Sequence, residues 1–385
     1  MAGTPPSTKP DTIDVRTLRA DHVGSLLRGE TLKALRAQLM PMAEAVLIRA
    51  KKPAQLIAAE DDAVRDAVRL QEAAGLQVVT DGELRRGSYY ADFLRSIDGI
   101  EVSRNNSRVT FVDGTKTGTI GAHAKIRLPA GGVTVDDFKF LKAATKVTAK
   151  MTLPSPLHGQ YLQDRHPRGG AYTDHDEFWA DFTKAYRNEI ALLGQAGCTY
   201  VQFDDTTFVR LCDPKHAQLL KDDGDTPEAA LKRWVAIMNE CMKDRPAGMT
   251  IGVHFCRGNG AGGAWVSQGG YGPIAQIVFN TLNADRLLLE YDSERAGGFE
   301  PLRHVDPDKV AVLGLVTTKN ANLESADLLQ RRIEEASKFV PLERLALSPQ
   351  CGFASGAAGG QMGLDMEDKK LRRVTEVAHA VWGSA

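Results

Sequence analysis

A (β/α)8 barrel with an inserted β-hairpin is the architecture this sequence predicts, and three observations predict it. Short apolar runs rich in β-branched residues alternate with longer amphipathic segments about eight times, the pattern of parallel strands joined by helical crossovers. Glycine-rich stretches, Gly258–Gly272 and Gly352–Gly363, follow two of the strand-like runs, where a barrel builds its binding face. No G-x-G-x-x-G follows the first strand, which weighs against the doubly wound dinucleotide-binding sheet as the alternative.

The elements follow in order. Residues 1–14, MAGTPPSTKPDT and its continuation, are rich in Pro, Ser and Thr and lack an apolar core. They are expected to be a disordered lead and not a signal peptide, ahead of a single domain over 15–385. A short first strand lies near Ala20–Ser25, then Leu76–Thr80, Lys146–Thr152, Tyr200–Phe203, Thr250–His254, Arg286–Tyr291, Val310–Val316 and Leu345–Ser348. Helical periodicity covers Ala58–Ala74, Asp176–Ala196, Pro227–Met242, Pro273–Leu282 and Leu323–Phe339. Val102–Pro129 breaks the alternation: polar and apolar residues alternate around Asp113-Gly114, so a β-hairpin is expected after the second strand.

Composition narrows the function. A net charge of -1 provides no basic field for nucleic acid or a membrane surface. No apolar stretch reaches the roughly 18 residues that span a bilayer, so a cytoplasmic protein is expected. The five cysteines, Cys198, Cys212, Cys241, Cys256 and Cys351, are odd in number and sparse, which argues against a disulfide framework.

The polar residues at strand ends carry the chemistry. In a barrel these positions share one rim. His254 and Cys256 close the fifth strand, Glu290 the sixth, and Cys351 follows the eighth. His254 and Cys256 are two apart on an extended chain and point the same way. The four side chains form an N, S, S, O set that suits tetrahedral zinc. Each has a plainer reading: a hydrogen-bonded structural His, a buried small Cys, a Glu290 carboxylate paired with Arg295. Cys198, Cys212 and Cys241 fit that reading better, Cys198 in a helix-to-strand turn and Cys241 in an amphipathic helix. Ser25, Glu83, Asp204 and Lys319 stand at or just past other strand ends. Arg257, beside the candidate ligands, could meet an anionic group on a donor or acceptor.

The segments "GVHFC", "LLLEYDSERAG" and "LSPQCGF" resemble the zinc site of cobalamin-independent methionine synthase, in its C-terminal catalytic barrel. "DHVGSLLR", "GLQVVTDGELRRGSYYADF", "YVQFDDTTF" and "VLGLVTTKNANLES" are similar to further segments of that family in the same order. The likeness runs from about residue 15. It implies a TIM barrel, Zn²⁺ held by His254, Cys256, Glu290 and Cys351, and a thiolate acceptor. It also implies that Glu83 and Asp204 hold the ammonium of an amino-acid thiol, with Ser25 near its carboxylate. The sequence departs from the family at Asp204-Asp205-Thr206, where the family reads D-E-P, and at Lys319, which stands where a proton-donating His is expected. The chain resembles the catalytic barrel without the N-terminal half carried by the plant and enteric enzymes.

The expected activity is therefore methyl transfer to a metal-activated thiol, homocysteine to methionine, with Lys319 or Asp204 as acid for the leaving group. The alternative is an alkyltransferase with another thiol or electrophile, such as the similar epoxyalkane:coenzyme M transferases. A zinc hydrolase is disfavoured because two thiolates weaken the metal as a Lewis acid. Expected partners are a small-molecule thiol and a methyl or alkyl donor, with folate, a small methylated compound and a corrinoid protein as candidate donors. A homodimer is common for barrels of this size.

Overall fold

The computed structural model describes residues 14–39, 52–103, 119–158, 170–259, 265–354 and 362–385. Among the described residues seven strands form one parallel sheet: β1 (Val78–Val79), β4 (Thr148–Pro154), β5 (Tyr200–Asp205), β6 (Thr250–Phe255), β7 (Arg286–Glu290), β8 (Val310–Val316) and β9 (Leu345–Pro349). From β4 onward each strand pairs with the next in the chain. That order requires a crossover on each connection, supplied by α-helices except between β7 and β8, where only the short 3-10 turns Glu294–Ala296 and Glu300–His304 intervene.

The sheet curls so that residues 19–26 bond to both of its edges. Ala20 bridges Leu347 in parallel, with Asp21 N–H donating to Leu347 O at 2.9 Å. On the other flank Leu26 N–H donates to Gly82 O at 3.0 Å and Thr80 Oγ1 donates to Gly24 O at 2.6 Å. The expected first strand is reduced to a single bridge because Gly24 takes φ 130° and turns the chain. Side-chain bonds complete the seam where ladder bonds stop.

The helices are α1 (Glu30–Leu39), α2 (Ala54–Ala73), α3 (Ala91–Arg95), α4 (Val135–Ala144), α5 (His175–Gln195), α6 (Pro214–Asp222), α7 (Pro227–Met242), α8 (Gly272–Thr281), α9 (Ala326–Ala336) and α10 (Leu364–Trp382). Their starts follow capping chemistry. Asp174, Asp213, Thr226 and Ser325 each accept a first-turn N–H through the side chain, and Pro214 and Pro227 occupy early positions that need no N–H donor. The Ser325 cap shortens the expected Leu323–Phe339 helix to Ala326–Ala336.

A separate antiparallel pair joins β2 (Asp98–Ser103) to β3 (Thr119–Arg127). The expected Asp113-Gly114 turn between them lies outside the described residues, as do residues 1–13 and parts of both glycine-rich loops. Asp14 is described: its carboxylate accepts Arg16 N–H at 3.1 Å and starts a single 3-10 turn. Among the described residues no helix is long and apolar enough to cross a membrane.

The inside of the curled sheet is not wholly apolar. Asp21, fully buried, faces Lys150 Nζ at 2.7 Å and Arg286 Nε at 3.3 Å, and accepts Tyr200 O–H at 2.8 Å. Removing one partner from such a buried pair costs about 3–5 kcal/mol, so this cluster is fixed in place.

Candidate metal centre and substrate cleft

The strand register assembles the site. Asp204 on β5 pairs with His254 on β6, and Glu290 ends β7. Cys256 stands one residue past β6, and Cys351 two past β9. The ligand atoms of His254, Cys256, Glu290 and Cys351 all lie within 4.8 Å of one another, and all four residues are buried. The two sulfurs are 3.6 Å apart, and His254 Nε2 is 4.0 Å from Glu290 Oε1.

Their surroundings prepare these atoms for a cation. His254 Nδ1 faces Leu288 O at 3.3 Å, which keeps a proton on Nδ1 and makes Nε2 the nitrogen that would meet a cation. Nε2 is buried and turned toward the Cys256 sulfur and the Glu290 carboxylate. Glu290 Oε1 accepts Arg257 N–H at 3.0 Å and Asn259 Nδ2–H at 2.6 Å, while Oε2 is 3.4 Å from Arg295. Burial works against a charged His254, yet the Cys256 thiolate, Asp204 and Glu290 raise its pKa to about 9. The hydrogen bond from Cys351 holds the Cys256 thiol well below its usual range, against burial, and the same bond pushes Cys351 up. Burial and the Cys256 charge also raise Glu290. Negative charge is thus crowded where desolvation is most costly, and a soft divalent cation relieves it. These four residues could hold a metal ion.

Beside them lies a second acidic pair. Glu83 follows β1 with φ 54°, outside the usual range for a non-glycine residue, and its side chain is buried. Its Oε1 accepts Thr152 O–H at 2.8 Å and lies 3.5 Å from Arg86 NH1. Asp204 accepts Gln202 Nε2–H at 2.7 Å. Burial, then the neighbouring Glu83, pushes Asp204 up to about 7. Ser25 is buried against Gly352, where a Cβ would overlap its hydroxyl, and its carbonyl accepts Phe353 N–H at 2.8 Å. Ser25, Glu83 and Asp204 therefore border the rim that carries the four potential ligands.

Lys319 donates to Asp292 at 2.7 Å and lines a cleft of about 510 Å³ with Trp265, Arg295 and Asn320. The Arg257 guanidinium donates to Gly269 O at 2.6 Å and stacks 4.6 Å from the Tyr271 ring, so its charge braces the loop after β6. Two features had no signal in the sequence. Asn259 ties Glu290 to the Cys256 sulfur, 3.6 Å away. Tyr89 donates to His158 Nε2 at 2.8 Å while Tyr90 stacks on the His158 ring at 5.3 Å, and burial lowers the His158 pKa to about 4.

Comparison with known proteins gives the family. The Bacillus subtilis protein YxjG, itself uncharacterized, is 39% identical over 371 residues, 94% of each chain. A Listeria monocytogenes structure described as a candidate vitamin-B12-independent methionine synthase superposes with a TM-score of 0.74 at 33% identity, covering 96% of this chain and 99% of that one. The methionine synthase of Pyrococcus abyssi is 23% identical over 296 residues, 76% of each chain. Residues 43–361 match the model of the cobalamin-independent synthase catalytic domain, and the chain belongs to that family.

Proposed function

We propose that this protein transfers a methyl group to the sulfur of homocysteine, forming methionine, with His254, Cys256, Glu290 and Cys351 holding Zn²⁺. The convergence of these four donor atoms within 4.8 Å, with His254 Nδ1 turned away to Leu288 O, carries the reading. The ion's contribution when bound is positive charge that releases the proton of a thiol whose free pKa is about 8.5, leaving a nucleophilic thiolate. The family and the methionine synthase name of the Pyrococcus abyssi relative support homocysteine as the thiol.

The chain's own residues do the rest. Glu83 and Asp204 receive the substrate ammonium, which offsets the cost of burying both carboxylates. Ser25 meets the substrate carboxylate. In the transfer the substrate sulfur forms a bond to the methyl carbon, the donor's bond to that carbon breaks, and the leaving group takes a proton. Lys319 Nζ, at the wall of the 510 Å³ cleft, is the candidate acid for it, with Asp204 as the other. The cleft is the proposed seat of the methyl donor. We read the curled sheet, with residues 19–26 at its seam, as an eight-stranded TIM barrel over 15–385. Five free cysteines, two of them ligands, suit a reducing cytoplasm.

The test measures bound zinc and methionine formation from homocysteine with a panel of methyl donors, using Cys351→Ala as control. One zinc per chain, lost in the variant together with activity, is expected. In parallel, homocysteine and not coenzyme M should raise the melting temperature of the zinc-loaded protein, because a ligand stabilises the folded state it binds. Stabilisation by coenzyme M alone would replace this reading with the alkyltransferase one.

A further inference from the structure

We infer that Lys150, buried beneath the site, is a positioning residue: it fixes the Gln202 side-chain amide in the one orientation that donates to Asp204, and so selects thiols that carry an amino group. The inference rests on the assignment of Asp204 to the substrate ammonium.

The argument is one of donors and acceptors. Lys150 has three N–H donors and no acceptor. They meet Asp21 Oδ1 at 2.7 Å, the His22 carbonyl, and Gln202 Oε1 at 3.0 Å. The atom of Gln202 that faces Lys150 must therefore be oxygen. Its amide nitrogen then faces the Val23 carbonyl, which can only receive a proton from it, and Asp204 Oδ1 at 2.7 Å, which receives one as a carboxylate. Every partner demands the same orientation, so the amide has no alternative. Lys150, Asp21 and Gln202 are all fully buried, and no water-exposed group is needed to complete the set.

The geometry follows from the strands. Tyr200, Gln202 and Asp204 alternate along β5 and share one face, and Gln202 pairs with Thr152 in the neighbouring strand. Asp21 is itself held by Arg286 and Tyr200, so the ammonium of Lys150 is anchored from below. The chain of contacts from Arg286 through Asp21, Lys150 and Gln202 ends on one oxygen of Asp204. That leaves the second oxygen directed by the first, available to an incoming ammonium.

The isosteric variant Gln202→Glu tests this most cleanly. Lys150 keeps the new carboxyl ionised and bonded, but the atom facing Asp204 no longer donates and repels it. Lys150→Met removes the anchor while Asp21 stays paired with Arg286, and Lys150→Met with Asp21→Asn removes the Lys150–Asp21 charge pair in case the single variant fails to fold. Calorimetric titration of the zinc-loaded proteins would compare homocysteine with 4-mercaptobutanoate, the same thiol chain without the amino group. The unaltered protein is expected to prefer homocysteine, and each variant to lose at least tenfold of that preference while binding 4-mercaptobutanoate within threefold of the unaltered value. An unchanged preference in Gln202→Glu, or an equal loss for both thiols, would overturn the inference. Equal binding of the two thiols by the unaltered protein would instead overturn the assignment of Asp204 to the ammonium, and this inference with it.

Discussion

Cys256 Sγ and Cys351 Sγ stand 3.6 Å apart although 95 residues separate them in the chain. Such closeness suits two thiolates sharing one cation, and it leaves them exposed to each other chemically once the cation is gone. Chelation followed by mild hydrogen peroxide is expected to join them as a disulfide, lowering the free-thiol titre by two of the five cysteines. Zinc-loaded protein should keep all its thiols under the same treatment, and reduction should restore zinc binding to the stripped form. An unchanged titre after chelation would show that the two sulfurs are not free to meet.

Asn259 offers a separate handle on the same centre. Its amide donates to Glu290 Oε1 at 2.6 Å and reaches the Cys256 sulfur at 3.6 Å, bracing one hard and one soft donor. Groups that orient metal ligands typically contribute about 10–100-fold in affinity. Asn259→Ala should therefore weaken zinc by that range in a competition titration with a chromogenic chelator, with the circular dichroism spectrum unchanged. Unaltered zinc affinity would show that Arg257 N–H and Arg295 hold Glu290 by themselves.

The potential ligands were legible because a strand end is a strong positional signal. Apolar β-branched runs mark β6, β7 and β9, and His254, Glu290 and Cys351 sit at or just beyond their ends. Periodicity shows where a chain is extended, and parallel strands put their ends on one rim. It is silent on loops, so Asn259 and the Tyr89–His158 pair carried no pattern. Lys150 and Gln202 were hidden for another reason: a polar side chain within an apolar run reads as one facing solvent, and only the partners brought by other strands show that it faces inward. The first strand was only partly legible, since the φ of 130° at Gly24 ends the extended run before Ser25.

Gly352 lets two segments approach more closely than any side chain would allow. A Cβ there would overlap the Ser25 hydroxyl, one residue from Cys351. Gly352→Ala is expected to displace Ser25 and weaken homocysteine binding about tenfold or more, the scale of one lost charge-assisted hydrogen bond. Zinc content should persist, because none of the four potential ligands is altered. Calorimetry with homocysteine and elemental analysis on the same sample check both halves. Loss of zinc with retained thiol affinity would reverse the assigned roles.

Glu367, in the first turn of α10, ties that helix to the start of the chain: its buried carboxylate accepts Leu27 N–H at 2.8 Å. Burial pushes its pKa up to about 8 from the ordinary 4.5. Between those values the folded protein keeps a proton that the unfolded chain has released, so this group lowers stability as pH rises from about 4.5 to about 8, and its effect levels off above that. Glu367→Gln keeps an oxygen for Leu27 N–H and removes the ionisation. The variant should be more stable than the unaltered protein at pH 8, by an amount on the order of a few kcal/mol, and nearly equal to it at pH 4.5. Thermal unfolding of both proteins across that range measures the difference. A gap that shrinks with rising pH would mean that the carboxylate is stabilised in the fold by a partner other than Leu27.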